Sequence, residues 1–145
     1  MPKHAKQGAI STGAHLVTFA FRVVSGTLDP ERITGELGLK PCQTRRQGEL
    51  RADGVIFTGM WAYSGYEESD GPYWETLEEG IAFVLDKLWR HRQLIDSYKS
   101  EAELIWWCGH FQSSFDGGPT LSPELFRKLA DFGAKLFLDN YFSEE

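Results

Sequence analysis

Cys108 and His110 are the first candidates for chemistry in this 145-residue sequence. They lie two positions apart in a segment with strand-like alternation, so both side chains are expected on the same face of a sheet. Thiolate and imidazole are zinc ligands, but a structural zinc takes four ligands and no CxxC or HxxxH partner is present. A cysteine nucleophile would need a base and a third group to orient it. The pattern is therefore more typical of a buried thiol beside a hydrogen-bonded histidine than of a metal or catalytic site.

Three arginines, Arg45, Arg46 and Arg51, lie close together in a polar segment before the second predicted strand. Forked guanidinium groups bind phosphate and carboxylate groups well. The cluster is therefore a candidate site for a small molecule, an anion or an acidic partner. The alternative is a solvated loop, the ordinary environment of such a charge cluster.

Aromatic residues form a second candidate binding surface, which includes Tyr66, Trp74 and Trp107. Tyrosine and tryptophan are the commonest residue types at the energetic centres of protein interfaces. The alternative for Trp74 is that it folds onto the core just before a helix, as a hydrophobic staple does. Trp106 and Trp107 should point to opposite faces of a strand, one into the core. The other should cover a helix, a partner chain or a ligand, and an edge tryptophan on an uncovered face would predict a homodimer.

Alternating apolar residues predict the strands that must position these side chains. In the first strand, Val17, Phe19, Phe21 and Val23 share one face. The predicted strands cover residues 15–24, 55–63, 102–111 and 135–141.

Capping residues predict three helices, because a side-chain oxygen can accept a hydrogen bond from the first free backbone N–H groups. In the last helix, Leu125, Phe126 and Leu129 are expected to face inward. The helices begin after Asp29, Thr76 and Ser122, and end at Gly38, near His91 and at Gly133.

The order of these elements predicts an α+β fold for a single domain of residues 15–142, after a flexible N-terminal tail of residues 1–14. We expect a two-layer sandwich in which a mostly antiparallel, four- or five-stranded sheet carries helices on one face, a ferredoxin-like arrangement.

Composition narrows the classes of function. The net charge of −6 disfavours nonspecific nucleic-acid binding, which depends on Lys and Arg. No apolar stretch is long enough to cross a membrane. Two cysteines and the absence of a signal-peptide pattern predict a cytoplasmic protein with free thiols. No motif predicts a cofactor.

Several short motifs occur in a recognisable order: Asp29-Pro30, Leu37-Gly38-Leu39, Trp61, Leu121-Ser122-Pro123-Glu124-Leu125, Leu129-Ala130 and Gly133. In this order they resemble the bacterial domain-of-unknown-function family 4279. The resemblance implies a small stand-alone protein, and it supplies no reaction and no catalytic residues. Similar proteins occur as neighbours of polymorphic toxins, which implies an immunity or interaction role.

The aromatic fraction of 14%, the acidic charge and the missing catalytic motifs favour a non-catalytic protein-interaction module, with an immunity-type protein as one form of it. The partner would be another protein or a second copy of the chain. The first alternative is a domain that binds small molecules or anions at Arg45, Arg46 and Arg51. The second is an enzyme that uses Cys108 and His110.

Overall fold

The computed structural model describes residues 10–12, 14–50, 52–54, 58–65 and 74–143. The strands are β1 (Ile10–Thr12), β2 (His15–Ser25), β3 (Gln43–Arg45), β4 (Gly59–Tyr63), β5 (Glu103–Gln112) and β6 (Lys135–Phe142). The helices are α1 (Pro30–Leu37), α2 (Leu77–Trp89), α3 (Arg92–Ser97) and α4 (Pro123–Phe132), with a 3-10 turn at Tyr98–Ser100.

Five strands lie side by side in the order β3-β4-β2-β5-β6, and β1 pairs with the start of β2. Neighbouring strands are antiparallel except β5 and β6, which are parallel. A parallel pair needs a crossover connection, which α4 provides. The strands β3 and β6 are therefore the two edges of the five-strand array.

One face of the sheet is covered by the helices. The alternating residues Val17, Phe19, Phe21 and Val23 of β2 are all buried in one apolar cluster, as predicted. The helices contribute residues at helical spacing to that cluster, among them Ile33, Leu37, Ile81, Val84, Leu85, Leu88, Leu125 and Leu129. This arrangement confirms the two-layer α+β sandwich.

The predicted helix caps are confirmed. The side chains of Asp29, Thr76 and Ser122 accept hydrogen bonds from the backbone N–H groups of Glu31, Glu79 and Leu125, respectively. Gly38 and Gly133 end their helices with φ of 66° and 92°, values in the left-handed region that glycine adopts without a steric penalty.

The prediction that Phe126 faces inward is wrong, because its side chain is 56% exposed. Phe132 is buried instead. Residues Leu125, Leu129 and Phe132 follow each other at steps of four and three, which places them on one stripe of the helix. Phe126 lies one position outside this stripe.

Three elements differ from the predicted boundaries. Of the second predicted strand, β4 covers Gly59–Tyr63, Thr58 lies outside β4, and residues 55–57 lie outside the described part of the chain. Within the predicted N-terminal tail, β1 pairs with β2, with Ile10 opposite Val17. The predicted second helix ends at Trp89, and α3 follows with the buried Ile95.

Among the described residues, every helix is too short or too polar to cross a lipid bilayer.

Candidate functional site

Cys108 lies in the core and is only 1% exposed. Burial away from water raises the pKa of its thiol to about 12, so the reactive thiolate is scarce at neutral pH. Within the described part of the chain, no three His, Cys, Asp or Glu residues form a group that could hold a metal ion. The described residues therefore give Cys108 the environment of a core residue.

His110, in contrast, belongs to a buried polar chain. Its Nε2 lies 2.8 Å from Nδ1 of His15, and its Nδ1 lies 3.2 Å from Oδ1 of Asn140. The other ring nitrogen of His15, Nε2, lies 2.6 Å from the backbone oxygen of Asp116. The two imidazole rings are stacked, with centroids 5.0 Å apart. This histidine pair joins β2, β5, β6 and the loop that follows β5.

The acceptors in this chain determine where its protons lie. The carbonyl oxygen of Asp116 can only accept, so Nε2 of His15 carries a hydrogen and donates it. When His15 is neutral, its Nδ1 accepts a hydrogen bond from Nε2–H of His110. Nδ1 of His110 then accepts a hydrogen bond from the side-chain amide of Asn140, since the two amide atoms exchange by a flip. Every ring nitrogen of the histidine pair therefore has a hydrogen-bond partner.

The loop after β5 covers the histidine pair with two glycines. Gly117 and Gly118 have φ of 87° and 139°, which favour glycine. A Cβ at Gly117 would lie 3.5 Å from Nε2 of His15, and one at Gly118 would lie 3.5 Å from Cε1 of His110. Beside the pair is a pocket of about 150 Å³, whose lining includes His15, Glu75 and Thr120. The glycines thus bring the loop backbone close to the rings.

His15 was not among the candidates from the sequence. A signal was present, because both histidines lie in strands rich in apolar residues, where a buried polar side chain needs a partner. The identity of that partner depends on strand register, in which Val17 of β2 lies opposite His110 of β5.

The arginine cluster divides in the structure. Arg46 forms ion pairs with Asp29 and Glu31 at the start of α1. Arg45 lies on β3. The pKa of Arg22 is lowered first by the burial of Arg22 and second by the positive charge of Arg45. Arg51 lies outside the described residues. The two described arginines of the cluster therefore have different neighbours. Arg46 contacts the start of α1, whereas Arg45 is close to Arg22 of β2.

The aromatic candidates also divide. Trp74 packs on Phe19 and Phe83, with ring centroids 5.5 Å away in each case, so it contacts the core. Trp107 is 9% exposed and points to the face opposite the helices. Tyr66 lies outside the described residues.

Trp107 is the centre of a polar and aromatic cluster on the face without helices. The guanidinium carbon of Arg22 lies 4.3 Å from its ring centroid, in a cation–π arrangement. Its Nε1 donates to Oδ2 of Asp139, 3.3 Å away, and the hydroxyl of Tyr141 donates to the same oxygen. Tyr141 in turn stacks on Phe111 at 4.6 Å. These contacts hold β6 against β5.

Strand β6 carries an exposed apolar surface that sequence reasoning did not single out. Phe137, Leu138, Tyr141 and Phe142 are each between 45% and 54% exposed. Phe115 of the preceding loop is 77% exposed and stacks on Phe142 with ring centroids 4.3 Å apart. No described strand pairs with the outer side of β6. We call β6 together with Phe115 the β6 edge.

Comparison with protein families assigns the chain to a family. The family described as Domain of unknown function (DUF4279) matches residues 15–143, which confirms the resemblance seen in the sequence. Neither the curated proteins nor the solved structures give a match.

Proposed function

The chain belongs to the DUF4279 family, whose description names no reaction, and we propose that it is a non-catalytic protein-interaction module that binds its partner along the β6 edge. The observation that carries this proposal is the exposure of four large apolar side chains on one edge strand. An immunity-type role is the form of this function in which the bound protein is a toxin.

The backbone of β6 is available for pairing with another strand. An edge strand presents unpaired N–H and C=O groups, to which an extended chain can add as a further strand. Natural proteins usually protect such an edge with charges, proline or a short length. Strand β6 has eight residues and no proline. Its two charged residues are Lys135, at its start, and Asp139, whose carboxylate accepts hydrogen bonds from Trp107 and Tyr141. Its edge is therefore suited to strand addition.

The side chains add apolar area to this backbone template. Because successive residues alternate, Leu138 and Phe142 lie on the helix side of β6, while Phe137 and Tyr141 lie on the opposite side. A partner strand would therefore gain apolar contacts on both faces of the sheet. Large exposed apolar patches are typical of protein interaction sites.

The test compares two matched substitutions of exposed leucines in a pull-down from the native cells. Leu138→Lys places a charge on the β6 edge, and Leu50→Lys places one in the loop that follows β3. Both leucines are more than half exposed, so both variants should keep the wild-type melting temperature. We expect Leu138→Lys to retain about tenfold less partner than wild type, since an interface centre can lose 1.4 kcal/mol or more. We expect Leu50→Lys to retain the wild-type amount.

Equal retention of the partner by wild type and Leu138→Lys would contradict the proposed surface. Identification of the retained protein by mass spectrometry tests the immunity-type role, which requires a toxin.

A second candidate function is anion binding at Arg22 and Arg45. Burial, and then the charge of Arg45, lower the pKa of Arg22, and its Nε has no hydrogen-bond partner among the described residues. An anion between two guanidinium groups would relieve their repulsion. We expect inorganic phosphate to raise the melting temperature of wild type and not of Arg45→Gln. An equal rise in both proteins, or none, would contradict this candidate.

A further inference from the structure

We propose that the histidine pair is an acid-sensitive latch. It holds the glycine loop, residues 113–121, closed at neutral pH and releases this loop when both imidazole rings are protonated. The latch depends on the hydrogen bond between the two rings, in which Nδ1 of His15 and Nε2 of His110 lie 2.8 Å apart. It goes beyond the proposed function, because it does not depend on what binds the β6 edge.

The hydrogen bond between the rings requires one nitrogen that carries a hydrogen and one that does not. It persists as long as one of the two facing nitrogens has no hydrogen. A protonated imidazole carries a hydrogen on both nitrogens, so in a doubly protonated pair two N–H groups would face each other across 2.8 Å. The two positive rings, stacked with centroids 5.0 Å apart, would also repel each other. The closed contact is therefore incompatible with protonation of both rings.

Separation of the two rings is coupled to movement of the loop. Both histidines are only 8% exposed, and Nε2 of His15 donates to the backbone oxygen of Asp116 in the loop. The loop backbone also lies against the rings, since a Cβ at Gly117 or Gly118 would be 3.5 Å from His15 or His110, respectively. Repulsion between the rings is therefore expected to displace the loop that covers them.

The other described titratable groups around the pair do not remove this repulsion. On β5, Cys108 faces the same side as His110, and burial raises the pKa of its thiol to about 12, so the thiol is neutral. Glu75 lines the pocket beside His15. The remaining charged groups on the surrounding elements are those of Asp116 in the loop, Glu78 and Glu79 at the start of α2, and Arg22 and Asp139 on the opposite face of the sheet. A carboxylate favours protonated rings whether the loop is closed or open, whereas two facing N–H groups occur only in the closed pair.

The direction of the pH dependence follows from the number of protons bound. In the open state both rings reach water, where a histidine takes up its proton near pH 6.5, so both are charged in acid. The closed pair allows at most one charged ring and therefore binds fewer protons. Acid thus favours opening, and a difference of one proton raises the equilibrium constant for opening about tenfold per unit of pH.

Amide hydrogen exchange tests the latch. NMR measures it from about pH 7 down to about pH 5, with correction for the intrinsic pH dependence of exchange. The amide of Ser113 donates to the backbone oxygen of Ala14, and the amide of Asp116 donates to the side chain of Ser114, so both amides report loop opening. We expect their opening to increase about tenfold between about pH 6 and about pH 5. The amide of Cys108, in the middle of β5, is the internal reference and should change much less.

The variant His110→Gln distinguishes a latch from a pair that only supports the fold. A glutamine amide can donate to Nδ1 of His15 at neutral pH and, after a flip, accept from it in acid, so this contact persists in both conditions. The variant should hold the loop at neutral pH as wild type does, and it should lose the acid response. His91→Gln, whose ring lies outside the pair, is the matched control and should keep the full wild-type response.

A readout on wild type alone covers the case in which His110→Gln does not fold. The Cε1–H signals of His15 and His110 can be followed in the same titration. The loop should open only as the second of the two rings becomes protonated. Opening that is complete while one ring is still neutral would contradict the latch.

Two further results would overturn the proposal. The first is exchange of the loop amides in wild type that is no faster in acid than at neutral pH. The second is an acid response that His110→Gln retains in full, because a group other than the histidine pair would then open the loop.

Discussion

The two edges of the sheet are built in opposite ways. Strand β3 has three polar residues, Gln43–Arg45, and the next residue, Arg46, is tied by ion pairs to the start of α1. Strand β6 has eight residues, of which four are large, apolar and about half exposed. A short polar edge offers little backbone and little apolar area to another strand. The difference indicates that one edge of this sheet resists pairing and the other favours it.

The layers behind the two edges differ as well. Behind β5 and β6, the rings of Phe21, Trp106 and Phe132 form a contact cluster with centroids between 5.2 and 5.9 Å apart. Behind β4, the stacked rings of Trp61 and Tyr63 lie in the same apolar cluster as Ile33 and Leu37 of α1. This layer also has a hydrogen bond, in which Nε1 of Trp61 donates to Oγ1 of Thr34 at 2.9 Å. Both layers are thus apolar, and they differ in the side-chain hydrogen bond between β4 and α1. The following experiments test this comparison.

The largest effect is expected from Phe132→Ala. Removing a buried ring costs the transfer free energy of its atoms and leaves a cavity, so we expect the free energy of unfolding to fall by about 3–5 kcal/mol. The control is Phe126→Ala in the same helix, which should change it by less than about 0.5 kcal/mol because that ring is exposed. Urea denaturation measures both. Similar losses in the two variants would contradict the assignment of the buried stripe of α4.

A smaller loss is expected from His15→Phe, which removes the hydrogen-bond partner of His110 and of the Asp116 carbonyl. An unpaired buried polar group costs about 1–3 kcal/mol. Because the pair joins β5, β6 and the glycine loop, backbone amides of β6 should also exchange with deuterium faster. His91→Phe, whose ring lies outside this network, is the matched control. Unchanged exchange in β6 would show that the histidine pair does not hold this edge.

The smallest effect is expected from Tyr98→Phe on the side of α1. The hydroxyl of Tyr98 donates to Oε1 of Glu36 at 2.7 Å, so its loss should cost about 1 kcal/mol at neutral pH. Hydrogen bonds, from Tyr98 first and then Arg32, lower the pKa of Glu36 from its ordinary value of 4.5.

The pH dependence of this loss has a definite sign. A carboxyl group with a lowered pKa in the folded state stabilises the fold above its ordinary value, and this stability disappears as the pH falls through the folded pKa. The difference between wild type and Tyr98→Phe should therefore shrink below pH 4.5. Denaturation curves at several acidic pH values measure it. A difference that stays constant down to low pH would assign the effect to packing alone.

Local rules predicted much of the fold. The caps at Asp29, Thr76 and Ser122 and the glycine ends of two helices follow from hydrogen bonds and backbone angles within a few residues. The buried face of β2 follows from alternation. The outward position of Phe126 was missed, because Leu125 and Phe126 are both apolar and adjacent in the sequence. Which of the two is buried depends on how the helix packs against the sheet.

The candidate sites were less predictable, because their residues are far apart in the sequence. His15 and His110 are separated by 95 positions, and the register of β2 against β5 alone brings them together. Arg45 and Arg46 are adjacent, yet the strand turns one toward Arg22 while the other pairs with α1.

The sequence by itself therefore determined the long strands, the caps of the three predicted helices and the family, since those depend on contacts between near neighbours and on motif order. Only the tertiary structure decided that β6 is an edge and that its apolar side chains stay exposed. The physical reason is that a central strand and an edge strand can have the same apolar sequence pattern. They differ in whether a second strand pairs with the free side of the backbone, and that depends on the tertiary structure.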